Sequence, residues 1–208
     1  MIAEIGHFAL ILALVLSVVQ CVLPLVGAAR GIGSWMALAR TAAYANALFL
    51  TISFGTLAYS FYISDFTLLN VASNSNSLLP WFYKVAASWG SHEGSILFWA
   101  LMLTWWGFLV ALTSRKLPQE TVARVLGVMG FITAGFVAFM LFTSNPFLRL
   151  FPAAPEGADL NPLLQDPGMV FHPPLLYMGY VGFTVPFAFA IAAPVSYTHL
   201  TLPTTERV

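Results

Sequence analysis

The sequence predicts an all-α integral membrane protein with about five transmembrane helices, two long external loops and a short interfacial helix. Two observations carry that prediction. Of 208 residues, 59% are hydrophobic and only 8% are charged, whereas a soluble domain carries about 25% charged residues. Apolar runs of about 20 residues also recur along the chain, the length that crosses a hydrocarbon core about 30 Å thick. The mean hydropathy is +0.84. A net charge of zero argues against a nucleic-acid partner. The single cysteine, Cys21, lies in an apolar run without a CxxC partner, so thiol redox chemistry is not expected and a packing role is.

Helix one is expected over Ile5–Leu25, closed by Pro24, Gly27 and Arg30; Glu4 precedes it and no basic signal-peptide n-region does. His7, near its outer end, reads as an interfacial polar residue. Helix two is expected over Ala42–Ile63, with Tyr44, Tyr59 and Tyr62 near its ends as an aromatic belt. The segment 64–93 is too polar to span. Its VASNSNS stretch (71–77) has turn chemistry. Its LPWFYKVAASWG stretch (79–90) begins with a proline, stops at a glycine, and reads as a short helix in the interface with Trp81, Phe82 and Tyr83 toward lipid. Helix three is expected over Ser95–Leu112 and helix four over Val122–Phe142, where Gly127 and Gly130 allow a close helix contact. Five prolines between 146 and 167 exclude a long helix from the second loop. Helix five is expected from Pro173 to Ala193.

Basic residues set the expected orientation. Arg30, Arg40, Arg115, Lys116, Arg124 and Arg207 fall on one side; only Lys84 and Arg149 fall on the other. The first side is therefore the cytoplasm, and the N-terminus, both long loops and His172 lie outside. The Thr-rich end, 194–208, breaks the apolar pattern at Pro194 and reads as a non-native tail in which His199 plays no part, leaving 1–193 as the membrane domain.

Two places hold candidate chemistry. His172 lies between Met169-Val170-Phe171 and the double proline Pro173-Pro174, at the expected start of helix five. A helix start favours a neutral imidazole, the form that binds a metal, although on spacing alone a capping or interfacial histidine is the plainer account. In WGSHEGSILFW, His92 and Glu93 sit between Gly90 and Gly94. The glycines permit close approach of a flat ligand, and the pair could form a metal or proton site; the plainer account is a helix start with Ser95 as its cap. HExxH spacing is absent. Trp81, Phe82, Tyr83, Trp89 and Trp99 could floor a porphyrin or quinone, though an interfacial belt explains most of them. Asp159 and Asp166 read as turn formers beside prolines, and Arg149 as a lone external cation.

Three motifs together resemble one family: VASNSNSLLPWFYKVAASWGSHEGSILFW, FTSNPFLRLFP and DLNPLLQDPGMVFHPPLLYMGYVGF. They are similar to those of CcmF, the large membrane subunit of the bacterial cytochrome c haem lyase, and the likeness covers Met1 to about Ala193. A paralogue serving nitrite reductase maturation is close to the same pattern. The resemblance implies a multi-pass protein of the bacterial inner membrane that takes haem b from a haem-loaded chaperone. It further implies that the protein works with other maturation subunits and helps ligate haem to apocytochrome c on the periplasmic face. It implies an axial ligand of the handled haem at His172. The implied second external histidine, the tryptophan-rich loop between the two, and the ligands of a resident haem are not in this sequence. On this reading the chain alone would be inactive as a lyase. Trp89, His92, Glu93 and Trp99 stand as candidate haem or partner contacts. Outside the resemblance, a proton- or redox-coupled membrane subunit using His92 and Glu93 is the rival from another class.

Overall fold

In the computed structural model, residues 1–196 are described, with side chains through 193. Eight α-helices are found among them: α1 (Ile2–Arg30), α2 (Gly33–Tyr62), α3 (Leu69–Asn74), α4 (Trp81–Gly90), α5 (His92–Thr113), α6 (Gln119–Phe142), α7 (Pro167–Gly182) and α8 (Thr184–Ser196). Five segments are long and apolar enough to cross a membrane: α1, α2, α5 with the turn after it, α6, and α7 with α8 as one stretch. The expected helix count holds.

The first two helices are longer than expected. Pro24 does not stop α1, which continues to Arg30 before Gly31 adopts a left-handed conformation (φ 69°) and turns the chain straight into α2. Proline is tolerated inside a membrane helix because neighbouring helices cover the freed backbone. At 30 residues, α2 is about 45 Å long, so its ends overrun the hydrocarbon core. Arg40 therefore lies within α2, not in a loop, and Tyr44 packs inside the bundle against Phe108 at 5.3 Å between ring centroids. Tyr59 and Tyr62 are exposed, as a belt requires.

A polar network ties three helices at mid-bundle. Gln20 of α1 donates from Nε2 to the Leu126 carbonyl of α6 (2.9 Å) and accepts from Asn46 Nδ2 of α2 (2.8 Å). Ser17, Gln20 and Asn46 are buried. In lipid no water competes for these groups, so they hold helices together where apolar contact alone discriminates poorly. Gly127 and Gly130 make the close α1–α6 contact foreseen for them: a Cβ on Gly130 would lie 3.0 Å from the Cys21 backbone nitrogen, and one on Gly127 would lie 2.7 Å from Leu25. Cys21 is a packing residue at this seam.

The two long loops pair with each other, which no local pattern announced. Leu69 donates its N–H to the Leu148 carbonyl (2.9 Å), Leu150 to Thr67 (2.8 Å) and Ala158 to Ala72 (2.7 Å). Ser77 donates its backbone N–H and its hydroxyl to the Glu156 carboxylate (2.9 and 2.6 Å). Two expectations are corrected here. The VASNSNS stretch is helical through Asn74, closed by the Asn74 amide donating back to the Asn70 carbonyl (2.9 Å). Arg149 is not a lone cation: it bonds Glu4 and Thr67 and lies 3.7 Å from Asp65, clasping the start of α1 to both loops. The N-terminus and both loops thus share one end of the bundle.

Candidate functional site

The helix that carries His172 starts earlier than its prolines suggest. Asp166 caps α7, its Oδ1 accepting from the Gly168 N–H (2.7 Å), and Pro167 is the first helical residue. Asp166 is thus the turn former expected of it, and Asp159 likewise accepts from the next backbone N–H, that of Leu160 (2.7 Å). His172 is the sixth residue of α7, so the helix-start argument for it falls away, because dipole and capping effects are confined to the first turn. Pro173 and Pro174 lie inside the helix. Each lacks the N–H that would close a helical bond, which leaves the Met169 and Val170 carbonyls without their usual donors.

Trp89, at the end of α4, answers the first of these vacancies. Its indole Nε1–H donates to the Met169 carbonyl (3.0 Å). The ring also stacks near Phe98 (5.6 Å) and Phe54 (6.4 Å). About two and a half turns further along α7, Trp106 of α5 donates to the Met178 carbonyl (3.1 Å). Tyr177 and Tyr180 face inward onto Trp99, which also packs on Phe136 at 4.9 Å. Two indoles and a tyrosine–tryptophan cluster therefore fix the rotation of α7 about its axis.

That rotation leaves His172 exposed, with Phe171 and Leu175 beside it 70% and 68% exposed. Below His172 on the same face, Leu175, Gly179, Gly182 and Phe183, with Trp106, line a shallow apolar groove of about 490 Å³. The helix breaks at Phe183, since Pro186 removes the donor for the Gly182 carbonyl, and α8 continues through Ser196, past Pro194. The rest of the tail, with His199, lies outside the described residues. Among the described residues no three His, Cys, Asp or Glu side chains gather as a metal cluster; His172 offers one imidazole and an open face.

His92 and Glu93 do not form one site. They occupy the first two positions of α5, after Ser91, whose Oγ accepts from the Gly94 N–H (3.1 Å). Ser91 is the cap, not Ser95, whose hydroxyl instead donates to the Trp89 carbonyl (2.7 Å). His92 Nδ1 shares a 3.0 Å hydrogen bond with Ser144 Oγ, and the ring lines an apolar cavity of about 480 Å³ with Ile96, Trp99, Ile132 and Phe136. Glu93 faces a separate polar cavity of about 250 Å³ with Asn70, Asn74 and Asn145. Both flanking glycines are needed for close packing within the protein. A Cβ on Gly94 would fall 1.7 Å from the Ser88 carbonyl oxygen, and one on Gly90 would fall 2.7 Å from Met169. Trp81 and Phe82 are exposed as expected of an interfacial helix, while Tyr83 packs on the core.

These observations define a polytopic helical membrane protein with an ordered cap at one end and a histidine, His172, exposed on the outer face of α7. The cytochrome c assembly protein family model matches residues 89–206, and the chain belongs to that family. It is 60% identical over 194 residues to the cytochrome c-type biogenesis protein CcmF of Pseudomonas aeruginosa and 53% identical to that of Escherichia coli. These matches cover 93% and 94% of this chain but 30% of each relative, so the chain spans less than a third of their length. It is also 48% identical to the cytochrome c-type biogenesis protein NrfE of Haemophilus influenzae. A solved structure titled cytochrome c heme lyase CcmF superposes with a TM-score of 0.83 at 28% identity, over 97% of this chain and 32% of that one.

Proposed function

We propose that this chain presents His172 as one axial ligand to haem that is being passed to apocytochrome c, at the periplasmic face of a bacterial inner membrane. The observation that carries the reading is the presentation of His172: an exposed imidazole on a helix held by side-chain donors at the Met169 and Met178 carbonyls, on either side of it. An apolar groove on the same face, floored by Leu175 and Gly179, suits one edge of a macrocycle. Haem enters as substrate, and its iron supplies the ligation chemistry; the chain orients it. Orientation is worth much in such a reaction, because holding a vinyl group near a thiol converts a bimolecular encounter into an intramolecular one. The relatives' names support cytochrome c maturation as the setting, and the likeness to NrfE leaves the matured cytochrome open between two branches of one chemistry. Partners on this reading are a haem-loaded chaperone, apocytochrome c and other maturation subunits. Trp89 acts here by positioning α7, and Trp99 by packing.

The test is titration of haemin into the detergent-solubilised chain, followed in the Soret band. His172→Ala should lower affinity at least about tenfold, the worth of one good ligand contact, and added imidazole should restore the ligated spectrum. Equal binding and an unchanged spectrum in the variant would remove the ligand role.

A further inference from the structure

The end of the bundle opposite His172 holds a basic cavity that the haem reading does not use. Its volume is about 320 Å³, and it is lined by Met36 and Arg40 of α2, Arg115 and Leu117 of the turn after α5, and Gln119 and Val122 of α6. Arg40 Nη2 donates to the Ser114 carbonyl (2.9 Å), which fixes that guanidinium against the turn. Yet Arg40 Nε and Ser114 Oγ are buried without a hydrogen-bond partner. Among the described residues no carboxylate pairs with Arg40 or Arg115, and Glu120, the acid nearest in sequence, is bound to Arg124 at 2.5 Å. Two guanidinium groups meeting in one partly enclosed space, one with a buried idle donor, repel each other and lack a counter-charge.

Depth and lining indicate the missing group. Arg40 lies seven residues after the start of α2, about 10 Å along the helix axis, which is headgroup depth for a helix that overruns the core. Met36, Leu117 and Val122 make the rest of the wall apolar. We infer that this cavity binds the phosphate of an anionic phospholipid headgroup, with Arg40 and Arg115 as its donors and the apolar wall beside the glycerol. Basic pockets between membrane helices hold such headgroups by charge-assisted hydrogen bonds.

The experiment uses the whole chain in uncharged detergent, with bound lipid counted by native mass spectrometry during titration with phosphatidylglycerol or phosphatidylcholine. Phosphatidylglycerol should be held about tenfold more tightly, and Arg115→Gln should abolish that preference. Arg40→Gln should do the same, but Arg40 also holds the Ser114 carbonyl, so Arg115, which carries no such duty, decides the matter. Competition by millimolar inorganic phosphate against bound phosphatidylglycerol would support the phosphate contact. Equal retention of the two lipids, or a preference that survives in Arg115→Gln, would overturn the inference. Phosphate binding without any lipid preference would assign the cavity to a free anion and overturn the lipid source.

Discussion

Replacing Trp89 by phenylalanine isolates the hydrogen bond that substitutes for the missing amide of Pro173. Phenylalanine keeps an aromatic ring near Phe98 and Phe54 and deletes only the indole donor to the Met169 carbonyl. Trp89 is half-buried, so the carbonyl is poorly placed to recover a water. The loss is then the cost of an unmade bond, about 1–3 kcal/mol. At about tenfold per 1.4 kcal/mol, the amides of α7 between 175 and 180 should open roughly 5- to 140-fold more often, read by hydrogen–deuterium exchange in detergent. Pro173→Ala supplies the complementary arm. It restores a backbone N–H four residues after Met169, so in that background Trp89→Phe should cost less than about 0.5 kcal/mol. The cycle should therefore show a coupling of about 0.5–3 kcal/mol between Trp89 and Pro173. An identical cost of Trp89→Phe in both backgrounds would refute the reasoning, as would unchanged exchange in the single variant.

Other outcomes follow from the same geometry. Asn46→Ala strips the Gln20 amide oxygen of its donor inside the membrane and should destabilise the bundle by about 0.6–2 kcal/mol, measured by reversible unfolding in mixed micelles. Gly130→Leu places a side chain on the Cys21 backbone and should cost about 1–3 kcal/mol or more, seen as loss of α1–α6 cross-linking between engineered cysteines. Glu156 is held below its ordinary value of 4.5 by the Ser77 hydroxyl and then by the Gly157 and Ser77 amides. A lowered folded-state pKa means the clasp contributes at neutral pH and is lost as pH falls through that lowered value. The Ser77 amide should keep its protection down to pH 4.5 and lose it only below, whereas Glu156→Ala should remove the protection at every pH.

Much of the fold was legible because lipid imposes a simple rule: every span must be about 20 apolar residues with its backbone bonds closed internally. The end of α6 at Phe142 and the short α4 helix followed directly from the runs and the Pro80 and Gly90 boundaries. What failed was the reading of prolines as helix boundaries, Pro24 as part of a stop and Pro173 as a start. Pro24, Pro173 and Pro174 all sit inside helices, since packing and side-chain donors cover the carbonyls they free. The reading of Pro173 put His172 at a helix start instead of in the helix interior, and Arg40 was left in a loop for a separate reason, the expected start of helix two at Ala42 where α2 begins at Gly33. His172 was singled out by its motif, while the tryptophan that orients its helix lies 80 residues away from Met169 in sequence. No local pattern reports such a bond, although a double proline in an apolar helix signals that a donor must come from elsewhere. The opposing destinations of His92 and Glu93 were hidden for another reason: adjacent helical residues point about 100° apart, and only the packed neighbours tell what each one meets.

The interlocked loops also constrain the order in which this protein can be made. Thr67, Leu69, Ala72 and Ser77 find their partners at Leu150, Leu148, Ala158 and Glu156, some 80 residues later in synthesis. Until α5 and α6 have been inserted and the chain has passed residue 158, the first loop has nothing to close upon. The cap is therefore a late event, a seal set after four spans are in place. A ribosome-bound intermediate ending at Phe142 should leave the 64–80 segment open to protease, and one ending beyond Gly182 should protect it. The presented histidine would then come into being only on a cap already shut.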